Sequence, residues 1–117
     1  MAETITVKEH AGTVLSTSLQ TLVNFNTGLL PGGAVVQGVQ LVNSGASDHV
    51  VWVYHIPSGQ VAAAAYLIGK TTVPANDTIP LQMGAPSYGA SGSFVQAIED
   101  AGTDVTARVS AFERTAA

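Results

Sequence analysis

The stretch "HVVWVYHI", residues 49–56, decides how this chain folds. Rich in Val and Ile, and without apolar residues at helical spacing, it reads as a β-strand. Successive side chains of a strand point to opposite faces, so Val51 and Val53 share a side with His49 and His55, while Val50, Trp52, Tyr54 and Ile56 share the other. Both sides are largely apolar. The strand is therefore expected to be central in its sheet, or covered by a neighbouring subunit.

Outward from it, short segments rich in Val, Ile, Leu and Thr recur between turn clusters. They are "TITVKE" (4–9), "TVLSTS" (13–18) with "TLVNF" (21–25), "AVVQGVQLVN" (34–43), "AAAYLIGKTTV" (64–73), "TIPLQM" (78–83), "SFVQAIE" (93–99) and "DVTARVSAF" (104–112). In the last, Val105, Ala107, Val109 and Ala111 fall on one face, and Thr106, Arg108 and Ser110 on the other, so Arg108 marks a wet side. The four alanines of "QVAAAAYLI" favour helix by propensity. The segment runs into "TTVP" without a cap, and a strand is expected there.

The punctuation between segments has physical causes. In "TTVPANDTIPLQMG" (71–84), Pro74 fixes the entry, and Asn76 and Asp77 tolerate tight backbone angles and bond their own main chain, which makes a turn. "LLPGGA" (29–34) supplies Pro31 for a fixed φ and Gly32 and Gly33 for positive φ. "NSGASD" (43–48) is expected to join two strands of one hairpin; further turns are "PSG" (57–59) and "DAGTD" (100–104). About eight short strands with such turns imply an all-β, single-domain β-sandwich of jelly-roll type. Residues 1–12 are read as an N-terminal arm or edge strand, 13–114 as the sandwich, and 115–117 as a frayed tail or inter-subunit arm.

Composition narrows the function. Charged residues make up 10% of the 117, and hydrophobic residues 46%, with a mean hydropathy of +0.31; an average soluble protein carries about 25% charged residues. So weakly charged a surface protects poorly against association, and the chain reads as a subunit. With a net charge of −4 and four scattered cations, Lys8, Lys70, Arg108 and Arg114, nucleic acid is a poor partner. The absence of cysteine excludes disulfides and thiolate metal sites. "MAETITVKEH" lacks the cationic and apolar segments of a secretory signal, and no apolar stretch approaches the roughly 20 residues of a membrane span, so a soluble protein made in the cytoplasm is expected.

Chemistry-bearing residues are few. His49 and His55 are about 20 Å apart along one strand and cannot share a metal ion; with His10 they read as edge or interface histidines bonded to backbone. Glu99, Asp100 and Asp104 cluster at a turn, where backbone hydrogen bonding explains them better than a glycosidase pair. "YGASGS" (88–93) fails as a serine elbow because Ser93 stands where the motif needs Gly, which leaves Ser91 in a loop; "LLPGGAVV" has neither the Lys nor the helix of a phosphate loop. Trp52, Tyr54, Tyr66 and Tyr88 could stack on a sugar, though core or interface is the better use of Trp52 and Tyr54. No catalytic, cofactor or metal residue is expected.

The order "GGAVVQGVQLVNSGASDHVVWVYHIPSG" (32–59), "TTVPANDTIPLQMG" (71–84), a Gly-rich loop and a terminal "DVTARVSAFE" (104–113) resembles small all-β virion structural proteins of tailed bacteriophages. Members carry a strand, an Asn-Ser/Thr-Gly-Ser turn, a second strand ending in Pro-x-Gly, and a Pro-Ala-Asn-Asp/Glu-Thr turn. The resemblance spans about residues 20–113 and is strongest for head decoration, or cement, proteins. It implies a non-enzymatic virion component, often trimeric, that binds the major capsid protein or other virion proteins at the capsid surface, without nucleic acid, membrane or cofactor. On apolar or aromatic character alone, the expected interface residues are Ile5, Val7 and His10 in the arm, Trp52 and Tyr54, and Tyr66 and Tyr88 at loop ends. The alternatives are a neck, tail or fibre-base component, and a carbohydrate-binding sandwich; an enzyme ranks last.

Overall fold

The computed structural model describes residues 3–8 and 12–116. It is an all-β sandwich of two antiparallel sheets. The strands are β1 (Glu3–Val7), β2 (Thr13–Val14), β3 (Gln20–Asn24), β4 (Ala34–Asn43), β5 (His49–Ile56), β6 (Leu67–Val73), β7 (Asp77–Pro80), β8 (Ser87–Gly89), β9 (Phe94–Glu99) and β10 (Val105–Ala116). One sheet runs β1-β10-β4-β7, with β2 also on β10 and β8 also on β4; the other runs β3-β9-β5-β6.

β5 is central as expected, paired to β6 on one side and β9 on the other. Its Val51 and Val53 are fully buried between the sheets, in one cluster with Leu15, Leu41, Val73, Val95 and Val105. Burying each such side chain contributes about 1.5–3 kcal/mol, which is why alternation fixes the facing of every strand. β10 follows its predicted alternation: Val105, Ala107, Val109 and Ala111 are buried, and Arg108 is exposed.

Four local expectations need correction. β4 and β5 are not a hairpin, since they lie in opposite sheets and "NSGASD" crosses the sandwich. Asn43 anchors the crossing: its side-chain amide donates to the carbonyls of Ser47 and Val73, and its Oδ1 accepts from the Gly45 amide. The alanine run forms a 3₁₀ turn, Ala64–Tyr66, and the strand starts only at Leu67. Of the tail expected over 115–117, Thr115 and Ala116 are instead strand, pairing with Thr4 and Glu3 of β1, and residue 117 lies outside the described residues. Of the two glycines in "LLPGGA", only Gly32 has positive φ; at Gly33 a Cβ would lie 2.7 Å from the carbonyl oxygens of Leu30 and Arg114, so close backbone approach excludes a side chain.

The "VPANDT" turn is as read. Asn76 has a φ of 54°, and the Asp77 carboxylate accepts from the Thr78 amide at 2.8 Å.

Candidate functional site

β5 holds its two histidines on the core-facing side, one at each end, and they are 6% (His49) and 8% (His55) exposed. Neither is satisfied by backbone, contrary to expectation. Nδ1 of His49 lies 2.9 Å from Asp100 Oδ1, and Nε2 lies 3.1 Å from Asp104 Oδ2. Glu99, whose side chain is fully buried, places Oε1 3.7 Å from the same Nδ1. Its Oε2 accepts from the Val105 amide, which closes the turn, while Oε1 has no hydrogen-bond partner among the described residues.

The hydrogen bond that His49 Nδ1–H donates to the Asp100 carboxylate is the main reason the His49 imidazole is held above the usual histidine range. Reciprocally, that bond holds the Asp100 carboxyl below its ordinary range. Burial pushes Glu99 up. The three carboxylates converge on one imidazole rather than facing each other across a cleft, so the glycosidase arrangement is absent here. Among the described residues, no group of three or more His, Asp or Glu is arranged to hold a metal ion.

The other end of β5 has no charge. Nδ1 of His55 is 2.9 Å from Ser87 Oγ on β8, and Nε2 is 3.0 Å from Ser93 Oγ just before β9. The Phe25 ring packs beside the imidazole, with centroids 5.6 Å apart. Burial alone pushes this histidine below its usual range, so the ring is neutral at pH 7. It forms one wall of a recess of about 350 Å³, open between the edges of the two sheets, whose lining includes Leu67, Ile68 and Tyr66 on one side and Ser87 and Tyr88 on the other. Ser91, in the "YGASGS" stretch, accepts from the Leu29 amide and only ties a loop. The serines that meet the histidine are Ser87 and Ser93, four residues before and two after Ser91, and the sole available signal was their position on either side of that glycine-rich loop.

The residues expected at interfaces fall on both outer faces. On the β10 sheet, pairing aligns Tyr88, Val35, Phe112 and Val7 across β8, β4, β10 and β1. Tyr88 is 63% exposed, Val7 65% and, further along β1, Ile5 57%. Trp52 and Tyr54 lie half-buried on the outward side of β5, in the other sheet. Lys70 sits over the Trp52 ring, its Nζ 5.4 Å from the centroid. Tyr66, in the 3₁₀ turn, meets Tyr88 only as a fellow lining residue of the recess. His10 lies outside the described residues.

No protein-family model and no curated protein sequence matches the chain. The fold has a counterpart among solved structures. A chain from Bacillus endospore appendages, described as a novel family of disulfide-linked pili, superposes with a TM-score of 0.61 at 11% identity, over 100% of this chain and 93% of that one. A chain of the T13 IBDV viral particle aligns at a TM-score of 0.41 and 14% identity, over 97% of this chain and 36% of that one. At such identities the likeness to the appendage subunit is one of fold. No helix among the described residues is long and apolar enough to cross a membrane.

Proposed function

We propose that the chain is a non-enzymatic structural subunit of an assembled particle, and specifically a decoration protein that binds the outside of a phage head and stabilises it. The observation that carries this reading is the row Tyr88–Val35–Phe112–Val7, which ends in strongly exposed aromatic and apolar side chains, with the Arg114–Glu3 ion pair beside it on the same face. Contact with a neighbouring subunit would remove that surface from water, at about 25 cal/mol per Å² of apolar area, and any partner bound only by the assembled state shifts the equilibrium towards it. The strand order β1/β2-β10-β4-β7/β8 facing β3-β9-β5-β6 supports a jelly-roll reading. Without cysteine, association cannot use the disulfide linkage described for the endospore appendages.

The carbohydrate-binding alternative is weakened by Lys70, which already covers one face of Trp52. Sedimentation equilibrium at two salt concentrations tests the reading. A salt-insensitive trimer that Val7→Glu converts to monomer supports it. A monomer at all concentrations, unchanged by Val7→Glu, counts against it, and a larger ring favours a neck or tail location.

A further inference from the structure

We propose that Ser87, hydrogen-bonded to an imidazole whose other nitrogen is held by Ser93, is a nucleophile that accepts an acyl group from an activated ester seated in the adjoining recess. This goes beyond the structural reading and does not depend on it. The arrangement matches the general requirement for an activated serine: a base within hydrogen-bond reach, itself oriented by a third group.

Exposure assigns the roles. Both serines border the recess, but Ser93 is 1% exposed and Ser87 half-buried, so Ser87 is the one a ligand reaches more readily. A neutral imidazole has one donor nitrogen and one acceptor. With Nε2–H donating to Ser93 Oγ at 3.0 Å, Nδ1 is left to take the proton of Ser87, 2.9 Å away. Gly89 holds this register, because a Cβ there would lie 2.5 Å from His55 Nε2 and 2.9 Å from Ser93 Oγ. The β8 backbone can therefore pass close beside the ring.

The lining also selects the substrate class. Pro57, Ala65, Leu67, Ile68 and Ala90 are apolar, and no Lys, Arg, Asp or Glu lines the recess, so a short neutral acyl chain fits and a charged one is disfavoured. The only other titratable groups in the lining are the phenols of Tyr66 and Tyr88.

In the step itself, Ser87 Oγ attacks the carbonyl carbon, and its proton passes to His55 Nδ1. The bond from carbonyl carbon to leaving oxygen then breaks, and the leaving alcohol takes the proton from Nδ1. The product is an O-acyl serine and a free alcohol. Neither oxidant nor metal enters the balance.

The test uses p-nitrophenyl acetate on the full chain, following nitrophenolate release and intact mass, with peptide mapping of the adduct. The expected result is one acetyl group on Ser87, gained at least about 100-fold faster than in urea-unfolded protein. The rate should rise with pH through a midpoint below the ordinary imidazole value. Ser87→Ala abolishes the adduct with circular dichroism unchanged, and Ser110→Ala, on the outer face, leaves it intact. Ser93→Ala, as loss of a positioning residue, slows acylation by about tenfold and moves the midpoint of the pH profile. The proposal is overturned if acetyl is found only on Lys8, Lys70 or the amino terminus. It is equally overturned if Ser87→Ala or the unfolded chain labels at the wild-type rate.

Discussion

The two ends of β5 pose one problem and solve it in opposite ways. Each must place a histidine against the core. At the first end, Asp100 and Asp104 bracket His49, with Glu99 buried behind it, and these carboxylates favour the protonated ring. At the second, Ser87 and Ser93 bracket His55, and burial keeps the ring neutral. Residue type, strand and facing are shared, so the flanking groups alone set the charge. A histidine in a strand pattern therefore carries no information about its charge until its cross-strand neighbours are known.

The opposite shifts give opposite pH dependence. His49 is raised, so its contribution to stability is fully present below the unfolded value of 6.5 and is lost as pH rises through the folded value. Glu99 is also raised, and its contribution likewise falls as pH climbs above 4.5. His55 is lowered, so its contribution is present above 6.5 and lost as pH falls towards the folded value. Asp100 is lowered too, and costs stability only as pH drops below 3.8.

The largest effect should come from breaking the charged clamp. His49→Leu leaves Glu99 buried without its cation and should cost about 3 kcal/mol, measured by urea denaturation at pH 6; this is the low end for a broken buried pair, since the two aspartates are partly exposed. In a His49→Leu/Glu99→Gln variant, with both raised groups gone, stability should instead rise with pH towards 6.5 through the lowered His55, which is the sharpest test that the two ends oppose each other. Gly89→Ala breaks the neutral clamp by overpacking, at about 2 kcal/mol with little dependence on salt. Asp104→Asn removes a carboxylate whose side chain is 47% exposed and should cost about 0.5 kcal/mol or less, vanishing in high salt. Finally, proton NMR of the wild type should resolve His49 and His55 with midpoints on either side of the ordinary imidazole value. Coincident midpoints would remove the contrast altogether.

Alternation made much of the fold legible. β4 and β5 occupy the predicted residues 34–43 and 49–56, since burial on one or both faces leaves a pattern that local sequence records. Sheet membership left no such record. "NSGASD" has turn residues suited to a hairpin, yet Asn43 spends its side chain on bridging the two sheets, and that bond to Val73 spans 30 residues. β8, only "SYG", is held by pairing to β4 rather than by its own propensity. Both histidine clamps were hidden for the same reason, as their partners lie 32 to 55 residues away along the chain.

The pairing of β1 with the far end of β10 bears on how the domain responds to force. Glu3 stands opposite Ala116, so the two outermost described residues leave the same end of the sandwich side by side. Tension applied through both would open the β1–β10 ladder like a zip, breaking its five rungs in succession. A load running lengthwise from that end to the loops around Asp100 and Asp104 would instead put the nine β4–β10 rungs in shear together. The domain is therefore mechanically anisotropic: yielding when pulled by these two residues, and stiff along the strand it is built on.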